Sequence, residues 1–314
     1  GEDAFSDDIS GGWQGTALEA TDPAAALAPA GAAGQLMSAT SKGRLAQGRS
    51  ADKTRVQVCV RVRPLIESMD GRPGENPLLH IDEESNTLQI PSLNGREPKA
   101  YRLDAVFGTK RTTGHIYAQV FSDSISRMLQ GYNATIFAYG QTGSGKTHTM
   151  AGDAHSPGIA QLSFAQIFDQ IKRSPEMQYN MSLSIMEIYQ DTIYDLFANR
   201  AKVEMQSGGA CGLRFTGLTE HPVRNEEEVG HLVSRGMEGK TMGANYRHEH
   251  SSRSHTVVRL LVESRHETDD KLTGVVSGSL MLVDLAGSET VHENTDAKAT
   301  SEGKAIVKSL FHLR

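Results

Sequence analysis

Apolar positions alternate with polar ones at Val56, Val58, Val60 and Val62 and stop at Pro64. A period of two predicts a strand, closed by a residue that cannot donate to a ladder. The spacing then lengthens. Ile116, Val120, Ile125, Met128 and Leu129 recur near helical intervals up to Gly131, which predicts a helix with a glycine at its C-terminal end. The apolar run 135–139 enters a glycine-rich turn directly and predicts a short buried strand. Beyond it the pattern predicts a helix over 161–172, a strand over 181–188, a turn and strand over 217–223 and a helix over 229–243. Strands over 257–262 and 279–283 and a helix over 301–313 complete the series. Met177, Met181 and Met186 read as core filler rather than a contact stripe. Strands interleaved with helices predict an α/β fold, a sheet layered by helices.

Residues 1–54 carry none of this periodicity. Gly, Ala, Ser, Thr and Asp dominate them, with Pro23 and Pro29, and large apolar residues such as Trp13 are scattered. Such a segment buries too little to offset the entropy of ordering, so it is expected to be a flexible Gly/Ala-rich extension, with one domain over 55–314. The extension takes four of the 32 basic and seven of the 38 acidic residues, leaving 28 against 31 and a net charge of −3 for the remainder. The whole chain carries −6, which argues against a general nucleic-acid binder; an acidic partner has to meet a local patch. No apolar run approaches the roughly 18 residues of a membrane span. Cys59 and Cys211 are too few for a disulfide framework or a metal cage, so an intracellular, reducing compartment is expected.

The densest chemistry is Gly140-Gln141-Thr142-Gly143-Ser144-Gly145-Lys146-Thr147, placed between a predicted strand and a predicted helix. Its glycines let backbone N–H groups close around phosphate oxygens; Lys146 reaches the outer phosphates and the Thr147 hydroxyl suits Mg²⁺. A second element, 279–287, is an apolar strand ending in Asp284-Leu285-Ala286-Gly287. Its aspartate can hold a Mg²⁺-bound water and its glycine N–H can sense a terminal phosphate. Between the two lies Ser251-Ser252-Arg253-Ser254-His255, whose hydroxyls can position water and complete a Mg²⁺ shell while Arg253 can pair with Glu289. His255 reads as a structural histidine in preference to a proton shuttle. No Asn-Lys-x-Asp guanine-reading motif occurs, which weighs against a GTPase.

Together these blocks resemble the kinesin motor domain from about Arg55 to Leu313. The matching runs are 58–65, 131–140, the phosphate loop through His148-Thr149-Met150, Glu187-Ile188-Tyr189 with Tyr194-Asp195-Leu196, 251–255 and 284–289. The resemblance implies a P-loop NTPase fold with a mixed central β-sheet and helices on both faces. It also implies ATP and ADP as ligands with Mg²⁺, and microtubules (tubulin) as partner at a cytoplasmic, cytoskeletal location. By position it implies that Arg61, Pro64 and His148 line the adenine pocket and that Gln141, Thr142, Gly143, Ser144, Gly145, Lys146 and Thr147 hold the phosphates. Ser252 would join Thr147 at Mg²⁺ with Asp284 behind them; Ser251 would place the water, Gly287 would report the γ-phosphate, and Arg253 with Glu289 would form a latch.

Three departures stand out. His248 occupies the place of a family asparagine, Val307 replaces another in the run Ile306 to Leu310, and the loop 290–301 offers Lys298 as its single basic residue beside Glu293 and Asp296. The family's C-terminal elements are expected to be missing from this chain. A homodimer or larger assembly would be built through regions outside it, since no sustained heptad occurs here. These departures keep open a second reading, a nucleotide-binding scaffold on microtubules with weak turnover.

Overall fold

A computed structural model of the chain describes residues 56–71, 73–74, 78–91, 97–207, 213–242, 253–267 and 274–289. They belong to two compact units, one ending at Arg111 and the other resuming at Thr112. The predicted extension 1–54, the predicted helix over 301–313 and the departures at His248, 290–301 and Val307 lie outside the described residues.

The unit ending at Arg111 contains β1 (Cys59–Arg61), a single turn α1 (Glu67–Asp70), β2 (His80–Asp82), β3 (Thr87–Ile90), β4 (Lys99–Arg102) and β5 (Ala105–Phe107). β2, β3 and β4 form an antiparallel meander, and β1 pairs in parallel with β5. The alternating valines are a correction to the sequence reading: Val56 is 68% exposed and Val58 51%, and the strand spans three residues. The buried apolar run of this unit is Ala105-Val106-Phe107. It is too short to show a period, and β1 takes its place in the sheet by pairing with it.

In the other unit the helix predicted over 116–131 is interrupted. α2 (Thr113–Ile116) and α3 (Ser122–Met128) flank a π-helical turn at Tyr117–Phe121. The five-residue step from Val120 to Ile125 is the trace of that turn, since a π-turn closes i to i+5. Gln166 secures it, accepting from the Tyr117 hydroxyl at 2.6 Å and donating to the Ser122 carbonyl at 2.9 Å. There follow β6 (Asn133–Ala138), α4 (Lys146–Ala151), α5 (Ile159–Lys172), β7 (Met177–Tyr189), β8 (Thr192–Asp195), β9 (Ala201–Ser207) and β10 (Leu213–Thr216). The unit continues through β11 (His221–Pro222), α6 (Glu226–Met242), β12 (His255–His266) and β13 (Val276–Asp284).

Eight strands make one sheet in the order β10-β9-β8-β7-β12-β13-β6, with β11 also on β7. β6 and β13 are parallel and the remaining pairs antiparallel, so the sheet is mixed. Register aligns apolar rows across it: Ile185, Val258, Leu282 and Ile136 are successive partners, as are Leu183, Leu260, Leu280 and Ala134. These rows join Ile125 and Met128 of α3, Ile167 of α5 and Val233 of α6 in one core cluster. The run 135–139 was expected to be buried. Ile136 is, but Phe137 remains 41% exposed, because it points to the side of the sheet away from that cluster.

Candidate functional site

Parallel pairing fixes where the chemistry gathers. Ala138 of β6, Asp284 of β13, Thr256 of β12 and Glu187 of β7 are successive cross-strand partners. The phosphate loop leaves β6 just past Ala138 and the Asp-x-x-Gly segment leaves β13 at Asp284, so both emerge side by side from the C-terminal ends of parallel strands. That is where open α/β sheets place their ligands. β12 begins at His255, directly after the serine segment, and brings it to the same end of the sheet.

The loop closes on itself. The Ser144 N–H donates to the Gln141 carbonyl at 3.1 Å, and the Lys146 ammonium donates to the same oxygen at 3.1 Å. Gly143 and Gly145 have φ of +77° and +90°, left-handed values that side chains resist. Burial pushes the Lys146 ammonium below its ordinary range, against the pull of the Asp284 and Glu289 carboxylates beside it.

Two side-chain bridges fasten the Asp-x-x-Gly segment to this loop. The Thr147 hydroxyl donates to Asp284 Oδ2 at 2.6 Å. The Thr142 N–H donates to Glu289 Oε2 at 2.8 Å and its hydroxyl donates to Glu289 Oε1. The Ser288 N–H adds a bond to the Gly140 carbonyl at 3.1 Å. Burial works to raise the Glu289 carboxyl, but the two Thr142 bonds and the nearby Lys146 charge outweigh it and leave the group below its usual value. Gly287 is buried here, and a Cβ on it would collide with both Glu289 oxygens and with the Thr142 hydroxyl. A side chain here would have to push the Glu289 carboxylate and the Thr142 hydroxyl aside, and so would disturb their bond to each other.

The structure therefore brings Gln141, Thr142, Gly143, Ser144, Gly145, Lys146, Thr147, Asp284, Gly287 and Glu289 together. His148 follows on α4, where its Nε2 lies 3.2 Å from Asp153 Oδ2. Arg61 and Pro64 stand in the unit ending at Arg111, so the adenine pocket assigned to them with His148 remains a proposal. Ser251, Ser252 and His248 lie outside the described residues. Arg253 is described and half-buried, while Glu289, its expected latch partner, has its carboxylate on Thr142. Two contacts were not legible in sequence: that between Thr142 and Glu289, and a buried bond from the Ala286 N–H to His255 Nδ1 at 3.0 Å. Each joins residues far apart in the chain, and no local pattern marks either.

Thr147 and Asp284 offer a hydroxyl and a carboxylate within hydrogen-bond reach of each other, an oxygen-only set that suits Mg²⁺. Among the described residues no cluster of three or more His, Cys, Asp or Glu could hold a metal by itself. A Mg²⁺ fits this end of the sheet as an ion shared with nucleotide phosphates, the usual habit of a cation that keeps its water and phosphate ligands.

Comparison with known proteins agrees with this geometry. The profile described as kinesin motor domain matches residues 61–314. Human centromere-associated protein E is 35% identical over 269 residues, covering 84% of this chain and 10% of that protein. The kinesin-like protein klp-3 of Caenorhabditis elegans is 36% identical over 265 residues, covering 82% of this chain and 43% of that protein. The chain thus spans less than half the length of either relative. A solved structure of a fast kinesin superposes with a TM-score of 0.70 at 30% identity, over 80% of this chain and 71% of that one.

Proposed function

This chain belongs to the kinesin motor domain family, and on that premise we propose that it is an Mg²⁺-dependent ATPase working on microtubules, with a cytoskeletal location. The observation that carries the reading is the double attachment of the Asp-x-x-Gly segment to the phosphate loop, through Thr147 to Asp284 and through Thr142 to Glu289. A terminal phosphate arriving at the loop competes for the same N–H groups and the same lysine. Binding and release of that phosphate are therefore felt directly by the second segment. Phosphoryl transfer asks a protein mainly for positioning and charge stabilisation. Lys146 supplies charge, the loop N–H groups hold oxygens, Gly287 presents an N–H, and Ser251 with Ser252 orient water from the serine segment. When bound, Mg²⁺ supplies charge neutralisation between the outer phosphates; Thr147 and Ser252 would hold it, with Asp284 behind them.

His248 favours a second reading, a nucleotide-binding scaffold with slow turnover. An asparagine amide both donates and accepts at any pH, whereas an imidazole is bulkier and presents its donor differently. Steady-state ATPase of the full-length protein, with and without microtubules, separates the two. A motor shows stimulated turnover that Lys146→Ala abolishes and His248→Asn increases; nucleotide binding without stimulation in the wild type sinks the motor reading, and an unchanged His248→Asn rate removes His248 as a brake.

A further inference from the structure

His255 opens β12 and is buried, with its Nδ1 3.0 Å from the Ala286 N–H. A backbone amide can only donate, so Nδ1 carries no proton and the ring hydrogen of the neutral form sits on Nε2. The regular ladder between β12 and β13 ends with Thr256 opposite Asp284. Past that pair the chains are joined by a side chain in place of backbone: His255 reaches over and holds the peptide two residues beyond Asp284. Ala286 and Gly287 are both buried at this point, and Gly287 lies against the Thr142 hydroxyl and the Glu289 carboxylate, which a Cβ would displace. Holding the Ala286 amide anchors the start of the next peptide, whose N–H belongs to Gly287, and leaves the Ala286 φ and ψ, confined by burial, as the freedom between them.

We propose that His255 is a positioning residue of the nucleotide site, anchoring the Asp-x-x-Gly segment through the Ala286 amide so that the Gly287 N–H is presented to the terminal phosphate. The proposal rests on the reading of Gly287 as the phosphate-sensing residue. It gives the residue that follows the serine segment a direct hold on the second segment. It also explains why this histidine is not a proton shuttle through Nδ1, whose lone pair is already engaged. Because the bond acts on the sensing peptide and not on the loop that cradles the phosphates, its loss should lower kcat while leaving ADP binding and the KM for ATP nearly unchanged.

The test compares His255→Ala with His255→Asn in the full-length protein. The asparagine Oδ1 stands as many bonds from Cβ as the histidine Nδ1 and can accept the same N–H. His255→Ala should cut kcat about tenfold, the size of effect expected when one positioning hydrogen bond is lost from a site made for the transition state. His255→Asn should recover most of it. Residue-resolved amide exchange supplies a reading independent of turnover: the Ala286 amide should be protected in the wild type and in His255→Asn and exchange quickly in His255→Ala. An asparagine variant as slow as the alanine one, or an Ala286 amide already unprotected in the wild type, overturns the proposal even if His255→Ala fails to fold. A wild type that protects Ala286 but neither binds nor hydrolyses ATP would instead sink the nucleotide reading while supporting the anchor itself.

Discussion

Glu187 has no accessible surface, yet it carries a carboxylate into the row that also holds Thr256 and Asp284. Its charge is met by Arg200, whose guanidinium also lies over the Tyr194 ring at 4.7 Å. Burying two ions is costly, and their attraction offsets the cost only while both are present. Arg200→Ala should therefore destabilise the fold by about 3–5 kcal/mol, and the double replacement Glu187→Leu with Arg200→Met should recover much of that loss. Urea unfolding of the three forms checks this; a wild-type midpoint in Arg200→Ala would mean the carboxylate is satisfied without the arginine. Glu187 was visible in sequence as part of a family block, but its partner was not, because Arg200 sits in the turn from β8 to β9, directly before Ala201, and its φ of +60° belongs to that turn.

α6 shows how an element is fixed at more than one point. Asn225 caps it by accepting from the Glu228 N–H at 2.8 Å, and Glu226, Glu227 and Glu228 complement the positive end of its dipole. Val229 and Val233 face the core. Farther along, Arg235 donates to His221 Nε2 at 2.6 Å and stacks over Phe197, whose ring meets His221 edge-on. Burial and then the Arg235 charge hold His221 below the ordinary imidazole value of 6.5, with Asp195 pulling the other way. An unfolded chain binds this proton more readily, so the stability due to the contact is present above about pH 6.5 and is lost as pH falls below it. His221→Gln keeps a polar acceptor without titrating and should flatten the fall of the unfolding midpoint between about pH 7 and pH 5; identical slopes would exclude His221 as the source. The helix itself was legible from Val229 and its successors, though not its start, since the cap lies before the first apolar position. Periodicity found β7, β12 and β13 because they are long and face one core. It missed β5, β8, β10 and the β2 to β4 meander because three or four residues cannot display a period, and the seven-residue β9 because Val203 is the one buried position among 201–206. The phosphate loop and Asp284 were legible as strings. Their bridges were not, because Thr142 and Glu289 meet only after β6 and β13 are side by side.

At the scale of the whole chain, charge bears on how the proposed microtubule partner would be met. Residues from Arg55 onward carry 28 basic against 31 acidic side chains, and the loop 290–301 holds Lys298 as its single basic residue. Against an acidic filament such a surface gains little from long-range attraction. Co-sedimentation of the full-length protein should show weak binding that falls on the order of tenfold as ionic strength rises to about 0.15 M. Tight binding that ignores salt would place the affinity in apolar contacts instead. Within the unit that resumes at Thr112, the ladder of β12 against β13 runs unbroken from Ser264 with Val276 to Thr256 with Asp284. Sliding that ladder by one residue would turn every core side chain outward, so the two strands cannot shift past each other in a working cycle. Asp284 is then a fixed datum, and the freedom to rearrange on this side begins at Leu285. On the proposed function, any rearrangement that phosphate release sets off among the described residues starts in the few peptides from Leu285 to Glu289, the part of this segment that the ladder does not pin.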